Sequence, residues 1–114
     1  MTSPPEEFLR GITLFNEEKF FECHEVWEII WLKSEGVERQ FLHAMIQVAA
    51  ALHHVQRGNS KGAASVGCRA IGKLAAMPNV VMQLDTIEFR QSLERFLANP
   101  TVPHPRVTLQ SEHL

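Results

Sequence analysis

The sequence predicts an all-α fold, a compact bundle of about five helices with an extended C-terminal tail, and three observations predict it. Apolar residues recur three and four apart in successive segments, the spacing that lines one face of a helix. Each segment is bounded by residues that start or stop helices. No strand pattern survives, because NVVMQL at 79–84 is too short and isolated. A chain of 114 residues has the length of one domain. We divide it into a helical domain over 1–99 and a tail over 100–114.

The first helix opens on Ser3-Pro4-Pro5-Glu6: Ser3 caps, Pro4 fits the first turn, and Glu6 completes a capping box. Phe8, Ile12 and Phe15 mark its inner face until about Glu17, and Asn16 to Lys19 read as a tight connection. The second helix runs from about Phe20 to Ser34, with Gly36 at a left-handed stop. The third runs from about Glu38 to Arg57 along a seam of Phe41, Met45, Val48, Leu52 and Val55. Gly58 ends it, and Asn59 or Ser60 caps a fourth helix that reaches about Met77 before Pro78. Gly62, Gly67 and Gly72 are expected to bring this helix close to the third, since each otherwise costs up to ~1 kcal/mol relative to alanine. Asp85 with Glu88 opens the fifth helix, which ends near Asn99-Pro100. The tail has no periodicity and is either draped over the bundle or loose; His104 and His113 are expected to be solvated there.

Composition removes several function classes. With 45% hydrophobic and 21% charged residues the chain can bury a core, and a net charge of −2 offers no electrostatic footprint for nucleic acid. Apolar runs fall far below the ~20 residues of a membrane span, and residues 1–10 lack the layout of a signal peptide. Cys23 and Cys68, without CxxC spacing, read as two buried thiols of a reducing, cytoplasmic protein. The chain has no glycine-rich phosphate loop and no Gly-x-Ser-x-Gly elbow.

Chemistry concentrates in FFECHEVWEIIW, residues 20–31. On a wheel of ~100° per residue, Phe20, Cys23, Trp27, Ile30 and Trp31 form the core face, while Glu22, Glu25, Ile29 and Lys33 lie opposite. His24 and Glu28 fall together at the edge of the aromatic face, ~5–6 Å apart as an i, i+4 pair, and are expected to look inward. A buried carboxylate needs a partner. The third helix offers a polar ribbon of His43, Gln47, Ala50 and His54, which a short antiparallel connection would turn towards them. His53 points about 100° away and is expected nearer the surface.

Three readings follow. His24, Glu28 and His54 bind a divalent transition metal (zinc, iron, manganese or nickel), with Gln47 or His43 behind the ligands or adding a weak one. Alternatively, Glu28 orients His24 as a general base or acid in a metal-free pocket. In the third reading the Glu-His-Gln network only pins two helices. A metalloprotease helix does not fit, because HEVWE carries a glutamate where HExxH needs its second histidine. Arg69, in the middle of the fourth helix, is a candidate contact for an anionic ligand.

LFNEEKFFECHEVWEIIW, FLHAMIQVAAALHHVQRGNSKGA and CRAIGKL, within residues 14–74, together resemble the domain of unknown function family 309, small helical proteins of bacteria and archaea. Its mark is a histidine, three residues, a glutamate and then an aromatic, here His24, Glu28 and Trp31. The resemblance implies an all-helical fold and a metal-binding role for that histidine and glutamate. It brings in Gln47, His54 and the Arg57-Gly58-Asn59 turn, and no activity. His43 stands where the resemblance leads us to expect glutamine.

The function expected from these residues is a divalent-metal site between the second and third helices, in a metal-dependent enzyme acting on a small substrate. The alternative is a non-catalytic module: a tetratricopeptide-like hairpin, although no ~34-residue repeat recurs, or a scaffolding homodimer whose apolar surface exceeds what five short helices cover.

Overall fold

The computed structural model describes residues 4–110. Among them are five helices and one small hairpin: α1 (Glu6–Asn16), α2 (Phe20–Leu32), α3 (Gly36–Gln56), α4 (Ser60–Ala75), β1 (Val80–Val81), β2 (Leu84–Asp85) and α5 (Thr86–Ala98). Successive helices pack on one another, α3 most extensively on α4 and then on α2. The cap expected at Ser3 lies outside the described residues, as does His113. Pro5 occupies the N-cap of α1 without a side-chain bond, its carbonyl accepting from Phe8 and Leu9.

The other caps follow the sequence closely. Asn59 Oδ1 accepts the Gly62 N–H at 2.9 Å, and Asp85 Oδ1 accepts from Ile87 and Glu88 at 3.1 and 3.0 Å. Gly36 and Gly58 take positive φ values of 62° and 73°, the left-handed region glycine enters without strain. Gly36, however, opens α3 directly instead of stopping α2.

The core is aromatic. The Trp27 indole lies stacked against Phe8 and Phe15 of α1, with ring centroids 5.7 and 5.9 Å away. Its Nε1–H donates to the Phe8 carbonyl at 3.2 Å. Between those phenylalanines stands Gly11, where an added Cβ would overlap the indole Nε1. This notch, which the sequence reading did not single out, lets α2 lie close against α1. The expected close packing of α4 on α3 is present, but of the three α4 glycines only Gly62 faces an α3 side chain. A Cβ on Gly67 would meet Leu97 of α5, one on Gly62 would meet Asn59 and His54, and one on Gly72 would meet nothing.

Two expectations are corrected. Residues 80–85 do form strands, a two-residue antiparallel pair with Val81 against Leu84. Its turn places Met82 and Gln83 at φ 49° and 68°, a conformation usually signalled by Asn-Gly, so no turn signal marked it. The tail, over its described part, is draped over the bundle through Pro105 and Val107 while most of its residues stay exposed, and the expectation corrected is that of a solvated His104. Val107 is 1% exposed, and Asn16 clasps its backbone, Oδ1 accepting the N–H at 2.8 Å and Nδ2 donating to the carbonyl at 2.9 Å. His104 packs edge-on against Phe15 and Phe20, and its Nδ1–H donates to the Pro105 carbonyl at 2.8 Å. Cys68 is exposed, and only Cys23 is a buried thiol; burial pushes the Cys23 thiol far above its ordinary pKa, which keeps it unreactive.

The notch at Gly11 yields a paired prediction. Gly11→Ala, which must displace the indole, is expected to destabilise the protein by about 1–3 kcal/mol. Gly72→Ala, in open space within a helix, is expected to stabilise by about 0.5–1 kcal/mol. Thermal melts of the two variants should therefore move in opposite directions; shifts of the same sign would refute the notch.

Candidate functional site

The register of α2 on α3 places the site. Phe21 meets His53 with ring centroids 5.7 Å apart, and Trp31 meets His43 at 5.6 Å. These partners are ten positions apart on each helix, so the antiparallel pair stays in step between them. The same register sets His24 opposite Ala50 and Trp27 opposite Gln47. His24 and Ala50 share a wall accordingly: with Phe20, Phe21, His53 and His54 they line a cavity of about 190 Å³. Three imidazoles thus surround one small space.

His24 is half-buried, and its Nδ1 lies 3.7 Å from Glu28 Oε1. That is an electrostatic contact but too long for a hydrogen bond. Among the described residues, no hydrogen bond reaches His24 Nδ1 or Gln47 Oε1, both fully buried atoms. Glu28 does not look inward. Its side chain is 47% exposed, so water covers most of the cost of its charge, and the expectation of a buried carboxylate is corrected. The wheel placed Glu28 at the edge of the aromatic face, and the structure leaves that edge open to solvent.

His54 is held from behind. Asn59 Oδ1 is occupied by the Gly62 N–H, so Nδ2 is the amide atom 3.2 Å from His54 Nδ1. The main chain reinforces this contact, with Asn59 N–H donating to the His54 carbonyl at 2.9 Å. His53, expected nearer the surface, is half-buried against Phe21 and lines the same cavity. A wheel measures angle about one axis. It did not register that His53 and His54 straddle the groove while Phe21 rises to meet the first of them.

The remaining candidates lie elsewhere. His43 is eleven positions from His54, roughly 16 Å along the helix at 1.5 Å per residue, and stacks on Trp31 at an interplanar angle of 27°. Arg39 places its guanidinium 4.4 Å from the Trp31 ring centroid and donates to the Trp31 carbonyl at 3.0 Å. Trp31 and His43 therefore belong to a separate stack at the other end of the α2–α3 groove. Gln47 is half-buried one turn from Ala50 and is not a wall of the cavity. Arg69 is exposed, its Nη2 directed to Ser65 Oγ at 3.5 Å on its own helix; it does not approach the histidines.

The residues present fit a metal poorly. Among the described residues no three His, Cys, Asp or Glu side chains form a group able to hold a metal ion. A ligating imidazole normally donates its remote N–H, whereas the remote nitrogen of His54 faces an amide NH₂. The larger recesses among the described residues carry no histidine, although one of about 450 Å³ is lined by Asp85, Glu88, Ser92 and Arg106. A groove of about 550 Å³ between α4 and α5 is walled chiefly by Val55, Ala63, Ala64, Ile71 and Leu97, with Cys68 its one thiol. No helix among the described residues is long and apolar enough to cross a membrane.

A family described as Domain of unknown function (DUF309) matches residues 8–66, a span that contains all three cavity histidines and Asn59. Among solved structures, a conserved hypothetical protein from Thermus thermophilus is similar with a TM-score of 0.71 and 32% identity, over 82% of this chain and 97% of that one. No curated protein matches this chain.

His43 generates a pH prediction. Burial first, and then Lys73 and Arg39, hold its pKa below the ordinary value. On acidification the unfolded chain therefore takes up this proton before the folded one. The stability tied to neutral His43 is complete above the ordinary value of ~6.5 and is lost as pH falls below it. His43→Gln is expected to melt with a shallower decline than the native protein between about pH 8 and about pH 5. Parallel declines would refute the assignment.

Proposed function

This chain belongs to the DUF309 family, and from that premise we propose that its α2–α3 cavity binds a small molecule bearing a hydroxyl or carboxyl group, with His24 as the acceptor and general base. The observation that carries this is the arrangement of His24: a buried Nδ1 with no hydrogen-bond partner among the described residues, 3.7 Å from the Glu28 carboxylate, on the wall of a cavity. A nearby carboxylate favours the proton on Nδ1, which leaves the Nε2 lone pair for a ligand. Phe20, Phe21 and Ala50 supply apolar walls. The volume of about 190 Å³ is below the ~300–1,000 Å³ of drug-sized sites, which limits the ligand to a few heavy atoms.

A second reading is a divalent transition metal, zinc, iron, manganese or nickel, on His24 and Glu28 with His54. The observation favouring it is the same unbonded nitrogen beside a carboxylate. It requires His54 to give up Asn59.

Elemental analysis and ligand titration separate the two readings. The first expects protein purified without chelator to carry no stoichiometric metal. It also expects glycolate, followed by imidazole ¹⁵N shifts, to perturb His24, with His24→Ala weakening binding at least about tenfold, or ~1.4 kcal/mol. Stoichiometric metal that is lost in His24→Ala would establish the second reading and overturn the first.

A further inference from the structure

We propose that Asn59 is a specificity-determining residue: it holds His54 as a hydrogen-bond donor to the cavity, so that end of the site accepts an oxygen lone pair and disfavours a cation. The inference rests on the cavity being the ligand site and goes on to define its second end.

Three groups, Gly62, Asn59 and His54, set this polarity. The Gly62 N–H, in the first turn of α4, takes Asn59 Oδ1 at 2.9 Å. The carboxamide is thereby oriented, and the atom it turns to His54 Nδ1, at 3.2 Å, is the NH₂ nitrogen. An amide NH₂ has no lone pair to give, so Nδ1 must accept. A neutral imidazole carries one proton, which is then on Nε2. With Nδ1 occupied behind, Nε2–H is the polar edge left for the cavity that His54 lines. Gly62 is part of the device for a steric reason as well. A Cβ there would stand 2.6 Å from Asn59 Nδ2 and 3.0 Å from His54 Nδ1, so any side chain presses on the contact itself.

The two histidines consequently present opposite polarity. His24, with its proton drawn towards Glu28, offers a lone pair, and His54 offers an N–H. A ligand satisfies both when a donor and an acceptor are adjacent, as in a 2-hydroxy acid: its hydroxyl donates to His24 and its carboxylate accepts from His54. A bare divalent cation meets one lone pair and one N–H, and the N–H repels it.

The test exchanges one atom. In Asn59→Asp, one carboxylate oxygen keeps the Gly62 cap and the other can only accept a hydrogen bond, which favours the tautomer with the proton on His54 Nδ1 and the lone pair on Nε2. Long-range ¹H–¹⁵N spectra at about pH 8, where free imidazoles are neutral, report the tautomer directly. The native protein is expected to show His54 protonated on Nε2, and Asn59→Asp to show it protonated on Nδ1. With that switch, glycolate affinity is expected to fall about tenfold and zinc affinity to rise about tenfold. Asn59→Ser, which keeps a helix cap but offers no amide to the ring, should lose the Nε2–H preference while the helix remains folded by circular dichroism. A native His54 protonated on Nδ1, or an unchanged tautomer in Asn59→Asp, overturns the proposal. A tautomer that switches while glycolate binds neither protein supports the role of Asn59 and overturns the ligand reading above instead.

Discussion

The seating of the Trp27 indole over Gly11 is the constraint on which the rest of the molecule depends. Phe8 and Phe15 flank the glycine on one face of α1, and the indole lies against both rings while donating to the Phe8 carbonyl. An aromatic ring of this size, held by two stacking contacts and one hydrogen bond, leaves α2 no freedom to rotate about its axis. Everything α2 presents elsewhere is a consequence. With Trp27 turned to α1, His24 is carried to the edge that borders α3, and Glu28 to the rim where water reaches it.

α3 then reads that orientation through two ring contacts, Phe21 on His53 and Trp31 on His43. They act at opposite ends of the groove and have different outcomes. At one end, Arg39 and His43 gather on Trp31, and burial, Lys73 and Arg39 hold the imidazole's pKa below its ordinary value. At the other, small Ala50 leaves space that three histidines surround. The cavity therefore lies at the end where α3 has a small residue opposite His24, and the aromatic stack closes the other end.

The turn from α3 to α4 joins the bundle to that space. Asn59 serves the helix as a cap and serves His54 as an amide donor at once, so the geometry of a structural turn reaches the polarity of a side chain in the cavity. The C-terminal segment packs on α1 and the start of α2. Asn16 binds the Val107 backbone in the manner of a strand partner, and His104 covers Phe15 and Phe20, the second of which is also a wall of the cavity.

By itself the sequence determined the helices, their limits to within a few residues, the caps at Asn59 and Asp85, and the buried faces of α1, α2 and α3. These are local properties, governed by spacing along one chain and by side chains that bond their own backbone. It also paired His24 with Glu28, since an i, i+4 neighbour needs no partner helix. Tertiary structure alone decided which of those groups share a space. Glu28 is exposed at the rim of the pair, His53 enters because Phe21 meets it, and His43 and Arg69 leave because register and helix packing place them elsewhere. The hairpin at Met82-Gln83 and the clasp of Asn16 on Val107 were hidden for the same reason: neither turn residue carries a glycine signal, and a contact spanning 91 positions leaves no periodic trace in the chain.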